Sequence, residues 1–231
     1  VVIDAKLFVP QSRERLFIIA VDADLSIPAE LVADEPTKPF HTSGLIAASQ
    51  FQRDPIWWRS PIPPKRNTTF ADIIENTPTG ATWNTQAETD QMIAMMSPVN
   101  LAKLEEAKLA GRRMVGGLYR RSRGKRAAGT PVSRWEARFD DVAGCLRMPT
   151  GGSSRQTVMI VDGERVRSRL LSPREAARLM GLPDEYKLPL NYDAAYGLIG
   201  DGVCVPVVRF LAAHTLEPIL RRDRQQRLAA E

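Results

Sequence analysis

The sequence predicts a mixed α/β chain in which short pieces of an α/β sheet flank a long, irregular α+β region. Three observations carry this. Leu16-Phe-Ile-Ile-Ala-Val21 is a nearly continuous apolar run, the kind buried on both faces of an α/β sheet. From Asp22 to about Thr69 periodicity dissolves, with proline at 28, 36, 39, 55, 61, 63 and 64. Ser172-Pro-Arg-Glu175 opens a helix with both ends specified: Ser172 caps, Pro173 takes the first helical position and Glu175 closes a capping box. Gly181 supplies the left-handed stop and Pro183 prevents continuation.

In chain order, Val1–Ile3 reads as a first strand. Before the apolar run, Gln11, Arg13 and Arg15 alternate and would share one strand face. Trp57-Trp58-Arg59, with Lys65 and Arg66, could stack on a base or simply anchor an irregular region. Thr69 caps a short helix with Phe70, Ile73 and Ile74 inward. A second helix runs from Ala87 to Met96 with Met92, Ile93 and Met96 inward. A third starts at Ser97-Pro98 and carries Leu101, Leu104 and Leu109.

Arg112, Arg113, Arg120, Arg121, Arg123, Lys125 and Arg126 then follow with no acid among them. A solvated face usually mixes signs, so this segment reads as a phosphate-contacting surface. Its glycines (116, 117, 124 and, just beyond, 129) suggest mobility, with order gained on binding nucleic acid. Arg134–Asp141 reads as a strand with an acidic turn. The loop after it holds Arg147, Ser153, Ser154, Arg155 and Gln156, which can approach phosphates closely. Thr157–Val161 and Arg165–Arg167 form a hairpin about an Asp162-Gly163 turn. Tyr186–Tyr196 is a loop with a short helical turn. A small-residue turn at Gly200 feeds a helix from about Pro206 to Glu217, with Val207, Val208, Leu211, His214 and Leu216 toward its packing surface. Arg221–Glu231 is a fraying, charged tail.

Composition bounds the partners. Net charge is +5 over 231 residues, which suits a polyanion. Two cysteines and two histidines show no metal-ligand spacing, so no metal is expected. No apolar run of membrane-spanning length and no signal peptide is visible, which makes a cytoplasmic protein with no membrane partner the expectation. Cys145 and Cys204 lack an evident activating base, and no glycine-rich nucleotide loop follows a strand.

Three separated segments resemble the C-terminal portion of the DNA (cytosine-5)-methyltransferase family. Gln11-Ser-Arg-Glu-Arg15 is similar to its eighth motif, and Arg169-x-x-Ser-Pro-Arg-Glu-Ala-Ala-Arg-Leu-Met-Gly-Leu-Pro183 to its ninth. Gly200-Asp-Gly-Val-Cys-Val-Pro-Val-Val208 is similar to its tenth, with a long recognition region between eighth and ninth. The resemblance implies part of a Rossmann-like catalytic domain, residues 1–21 and 196–220. It is interrupted by a target-recognition domain, 22–195, that includes the 172–181 helix, and is followed by a tail, 221–231. It implies methyl transfer from S-adenosylmethionine to C5 of a cytosine flipped out of double-stranded DNA. Gln11, Arg13 and Arg15 would stand at the catalytic cleft, with Arg15 holding the flipped cytosine and Arg13 structural or phosphate-facing. Gly200, Asp201, Gly202 and Val203 would close one side of the cofactor pocket. The family usually has asparagine where Asp201 stands: a backbone contact would tolerate the change, an amide contact would not.

The family's cofactor loop, Pro-Cys nucleophile motif and Glu-Asn-Val motif have no match here, and neither cysteine matches the nucleophile. The chain is therefore expected to begin partway through a larger protein or to be the smaller subunit of a split enzyme. It would be inactive alone and completed by an N-terminal portion or complementary subunit. The alternative is a non-catalytic DNA-binding protein that retains the recognition module.

Overall fold

The computed structural model describes residues 1–52, 54–125, 131–149 and 155–230, without the side chains of 122–125, 131, 132 and 230. The chain divides into two compact units. The first comprises Val1–Phe8, Arg13–Arg66 and Val203–Glu231, and the second Val9–Ser12 and Asn67–Gly202. The first thus groups residues 13–66 with both ends of the chain, whereas the sequence reading placed 22–66 in the recognition region.

In the first unit β1 (Val2–Asp4) pairs antiparallel with β2 (Glu14–Leu16), Ile3 opposite Arg15. The expected buried strand over Leu16–Val21 is not there. Strand structure ends at Leu16, all of β2 is exposed, and Ile18 is 84% exposed. An apolar run is buried on both faces only where other layers cover both, and among the described residues β2 pairs with β1 alone. The unit's core lies elsewhere, around Ile3, Phe40, Trp58 and Phe210, with Phe8 and Phe210 rings 5.3 Å apart. Trp58 is buried and bridges Val32, and Trp57 meets His41 edge-on at 5.0 Å. Both tryptophans anchor the irregular segment, the plainer of their two readings. A short helix, α1 (Ser43–Ser49), is capped by the Thr42 hydroxyl.

The second unit is built on a four-stranded antiparallel sheet ordered β4-β3-β5-β6. Three helices precede it. α2 (Phe70–Ile73) and α3 (Gln86–Ala94) each start with a capping box, Thr69/Asp72 and Thr85/Glu88, and α4 (Pro98–Leu109) has Pro98 in its first turn. β3 (Met114–Lys125) and β4 (Pro131–Arg138) pair over most of their length, while β5 (Thr157–Asp162) covers only Met114–Leu118 of β3. From Tyr119 on, β3 and β4 therefore continue as a two-stranded ribbon. β5 and β6 (Arg165–Leu170) form the expected hairpin, with the turn one residue later than read, at Gly163-Glu164. Gly163 takes φ 56°, which a two-residue hairpin turn asks of its first central position.

Leu104, Ala107, Leu118, Ala137, Met159 and Val161 form the core, with Met92, Ile93 and Leu101 packed against it as the helical spacing predicts. Leu109 is 84% exposed, against expectation, because it closes the last turn of α4. β4 is an edge strand, and α4 covers part of its edge. The Ala137 N–H donates to Asn100 Oδ1 (2.9 Å) and its carbonyl accepts from Lys103 Nζ (3.3 Å).

Of the arginine-rich segment, Arg120, Arg121, Arg123 and Lys125 fall in β3, and Arg112 and Arg113 precede it. Gly116 and Gly117 serve packing. A Cβ at Gly116 would lie 2.5 Å from the Phe139 ring, so only glycine lets these neighbours close.

The remaining helices are α5 (Pro173–Leu179) and α6 (Tyr192–Asp201) in the second unit, and α7 (Val205–Leu211) and α8 (Glu217–Ala230) in the first. α6 is a full ten-residue helix capped by Asn191, where the sequence reading had only a loop and a turn. α7 passes through a π-helical segment, Ala212–Leu216, into α8. The buried positions there are Val207, Phe210, Leu211, Thr215 and Ile219, while Val208 and Leu216 point outward. The reading that no membrane-length apolar run exists also needs correction, since Tyr192–Ala229 contains a window apolar and long enough by composition. The chain leaves helical geometry at Gly202–Cys204, which divides that stretch between the two units.

Candidate nucleic-acid interface

The second unit's scaffold is fixed at α5. Ser172 caps through its hydroxyl, which accepts from the Glu175 N–H, and the Glu175 carboxylate accepts from the Ser172 N–H in return. At the other end Gly181 sits at φ 73°, and the Leu182 N–H reaches the Ala177 carbonyl, as in a Schellman motif. Glu175 also pairs with Arg169 through two contacts of 2.6 and 2.7 Å, both side chains fully buried. Arg169 further donates to the Glu75 carbonyl and lies over the Trp83 ring at 4.9 Å. Arg178 bridges Glu75 and Asp184, and Arg174 donates to the carbonyls of Pro183 and Tyr186. None of these three arginines is idle surface, and Arg169 is no surface residue at all.

Gln11 belongs to this bracket. Its amide donates to the Leu179 carbonyl (2.7 Å) and accepts from the Leu146 N–H (3.1 Å), and the side chain is wholly buried. It therefore ties the end of α5 to the loop after β4, a positioning arrangement. Arg13 and Arg15 lie in the first unit. Arg13 is buried, its backbone held by Asp4 and Ala5, and Arg15 is exposed.

Beside the bracket, β3, β4, α4 and the 144–149 loop enclose a cleft of about 810 Å³. Lys103, Arg120, Arg121, Arg138, Arg147 and Arg155 line it, with Glu136, Tyr119 and Gln156. Cross-strand register puts Tyr119 opposite Glu136 and Arg121 opposite Arg134, so these four share one face. Gly144 is needed at the rim, where a Cβ would meet the Tyr119 hydroxyl at 2.1 Å. Burial raises the Tyr119 phenol above its ordinary range, with Arg138 pulling the other way. Asp140 clasps Arg138; burial opposes ionisation of its carboxyl, yet Arg138 holds it below the usual range. Asp193 clasps Arg155, whose guanidinium lies 5.7 Å from the Tyr192 ring centre. Burial pushes the Tyr192 phenol up to about 12, and the buried Tyr196 hydroxyl accepts from the Gln156 N–H at 2.9 Å.

Of the residues predicted to contact DNA, the cleft brings together Arg120, Arg121, Arg147, Arg155 and Gln156. Arg112 lines a separate small cavity near Asp141, and Arg113 immediately precedes β3. Arg123 and Lys125 lie on the ribbon, and Arg126, Ser153 and Ser154 fall outside the described residues. Lys103, Glu136 and Arg138 were missed. The alternation Arg134-x-Glu136-x-Arg138 on a strand was the available signal.

At the predicted cofactor stretch, Gly200 is buried in the last turn of α6, where a Cβ would lie 2.5 Å from the Arg147 backbone. The Gly202 N–H donates to the Leu198 carbonyl. Asp201 and Val203 are exposed. Burial pushes the Cys204 thiol up to about 11, with Arg13 a weaker opposing influence, so it remains a protonated thiol at neutral pH.

The chain is 48% identical over 44 residues to the Type II methyltransferase M.NlaX of Neisseria lactamica, covering 19% of this chain and 14% of that protein. It is 32% identical over 84 residues to the Type II methyltransferase M.HpaII of Haemophilus parainfluenzae, covering 30% and 24%. It thus spans well under a third of the length of these relatives. The sequence profile for C-5 cytosine-specific DNA methylases matches residues 1–217, nearly the whole of the chain. This chain belongs to the C-5 cytosine-specific DNA methylase family.

Proposed function

We propose that this chain is the DNA-recognising, C-terminal portion of a cytosine-5 methyltransferase acting in a Type II restriction–modification setting. The arginine-lined cleft beside the β3–β4 ribbon carries this reading. A polyanion is drawn to such a surface, and a two-stranded ribbon fits the major groove of a duplex. Arg120, Arg121, Arg147 and Arg155 contact DNA. Arg112, Arg113, Arg123, Lys125, Arg126, Ser153, Ser154 and Gln156 are the further DNA contacts of this reading.

In this reading the target cytosine leaves the helix before reaction. Arg15 helps hold it, Arg13 is structural, and Gln11 positions α5 against the 144–149 loop rather than touching the base. S-adenosylmethionine supplies the methyl group when bound. The Gly200–Val203 stretch forms one wall for it, and the exposed side chains of Asp201 and Val203 are what it can offer. Gly200 is committed to packing against Arg147.

Cys145 and Cys204 do not serve as the nucleophile, and a polypeptide bearing the Pro-Cys and cofactor-loop motifs completes the enzyme. The test is transfer of labelled methyl from S-adenosylmethionine to duplex DNA, by this chain alone and with such a polypeptide added. Transfer is expected only in the second case. Transfer by the chain alone would contradict the division of labour, and DNA binding without transfer in either case would favour a recognition module with no catalytic role.

A further inference from the structure

One face of α6 holds both stems of the loop between β4 and β5. Tyr192, Asp193, Tyr196, Gly197 and Gly200 recur at helical spacing and so share that face. At the first stem, a Cβ on Gly200 would lie 2.5 Å from the Arg147 backbone and one on Gly197 3.6 Å from Pro149 Cδ, so the helix backbone runs directly against it. At the second, the Tyr196 hydroxyl accepts from the Gln156 N–H at 2.9 Å, Asp193 clasps Arg155, and the Arg155 guanidinium lies 5.7 Å from the Tyr192 ring centre. Tyr196 is wholly buried, and its ring stacks on that of Tyr192 at 5.6 Å. The Gln156 amide in turn donates to the Leu118 and Thr157 carbonyls, which ties the second stem to β3 and β5.

Arg147 and Arg155, one on each stem, both line the cleft. The attraction of a guanidinium to phosphate falls off slowly with distance, survives small displacements and carries no sequence information. A hydrogen bond to a base edge weakens steeply once its length or angle is wrong, so discrimination depends on how firmly the two stems are held. Resting on the DNA-binding reading above, we propose that Tyr196 is a positioning residue for sequence recognition: its hydroxyl fixes the 155–156 stem on the helix face that also carries the 147–149 stem, so that Arg147 and Arg155 meet the duplex in one geometry. Tyr196 itself touches no DNA, since its side chain is sealed in the second unit. The Tyr192 hydroxyl provides the contrast. It stands on the same helix but donates to the Leu171 carbonyl at 2.8 Å, away from the loop.

The test selects bound duplexes from a randomised pool with the full native chain. It then compares affinity for a selected and an unselected duplex in the native chain and in Tyr196→Phe, Asp193→Asn and Tyr192→Phe. Tyr196→Phe should lose discrimination by roughly tenfold, the scale of one good base contact. No charge is removed, so its salt dependence on the unselected duplex should keep the native slope. Asp193→Asn frees Arg155 from an exposed pair and should lose discrimination in the same direction at the native melting temperature. Tyr192→Phe should lower the melting temperature and leave discrimination intact. Full discrimination in Tyr196→Phe would overturn the proposal, and so would equal loss in Tyr196→Phe and Tyr192→Phe, the mark of a merely structural role. If Tyr196→Phe does not fold, Asp193→Asn decides, and full discrimination there would overturn the proposal. Binding by the native chain with no base preference would overturn this inference but leave the DNA-binding reading standing, and failure of the native chain to bind any duplex would overturn both.

Discussion

Arg169 and Arg121 are the same side chain put to opposite uses within one unit. Arg169 is sealed beside Glu175, with the Glu75 carbonyl and the Trp83 ring completing its surroundings. Arg121 stands half-exposed in an open cleft, loosely opposed by one carboxylate. A buried guanidinium with a matched partner specifies one arrangement and punishes any loss of that partner. A solvated one contributes little to stability and remains available to an incoming anion. The difference teaches where this unit keeps its rigidity and where it keeps its binding capacity.

The comparison can be broken most forcefully at Glu175. Glu175→Gln leaves Arg169 charged and buried, and should cost about 3–5 kcal/mol of unfolding free energy in urea titrations. A loss below about 1 kcal/mol, the value of a surface pair, would mean the pair is not sealed. Arg121→Gln should fall within that smaller range. Next in size is Gly200→Ala, which forces a Cβ to within 2.5 Å of the Arg147 backbone. Overpacking of that kind should cost about 1–3 kcal/mol and disturb the cleft's 147 side, visible as weaker DNA binding alongside the lowered stability.

The smallest effect lies in the first unit. His41 is buried, and burial holds its imidazole below the usual range, while the Thr37 N–H donates to its Nδ1 at 2.7 Å. The folded state therefore prefers the neutral ring. This contribution is complete above about pH 6.5, the unfolded value, and is lost as pH falls from there through the lower folded value. Denaturation midpoints should drop over that window in the native chain, and His41→Gln should remove this part of the pH dependence.

The local features of the sequence were legible and the long-range ones were not. Ser172, Glu175 and Gly181 declare the start and stop of α5 because caps are made by residues three to six apart. That Arg169 is buried depends on Glu75 and Trp83, distant in sequence, and no local pattern announces it. Leu16–Val21 was read as a buried strand because periodicity reports apolarity, not what covers it. Gly116 and Gly117 looked like sources of mobility, since Phe139 and Gln156 approach them from other elements. The basic character of the cleft was legible from Arg120, Arg121 and Arg147, but the place of Glu136, the one acid among its described lining residues, was not, because strand pairing alone brings it opposite Tyr119.

The central claim is that the cleft's open arginines meet DNA phosphates. The direct measurement is the dependence of duplex affinity on salt concentration for the native chain and for Arg120→Gln, Arg121→Gln and the double variant. Each lost phosphate contact should flatten the log–log slope by about 0.9, and the double variant by about twice that, on all sequences alike. Slopes that stay at the native value in all three variants would contradict the account.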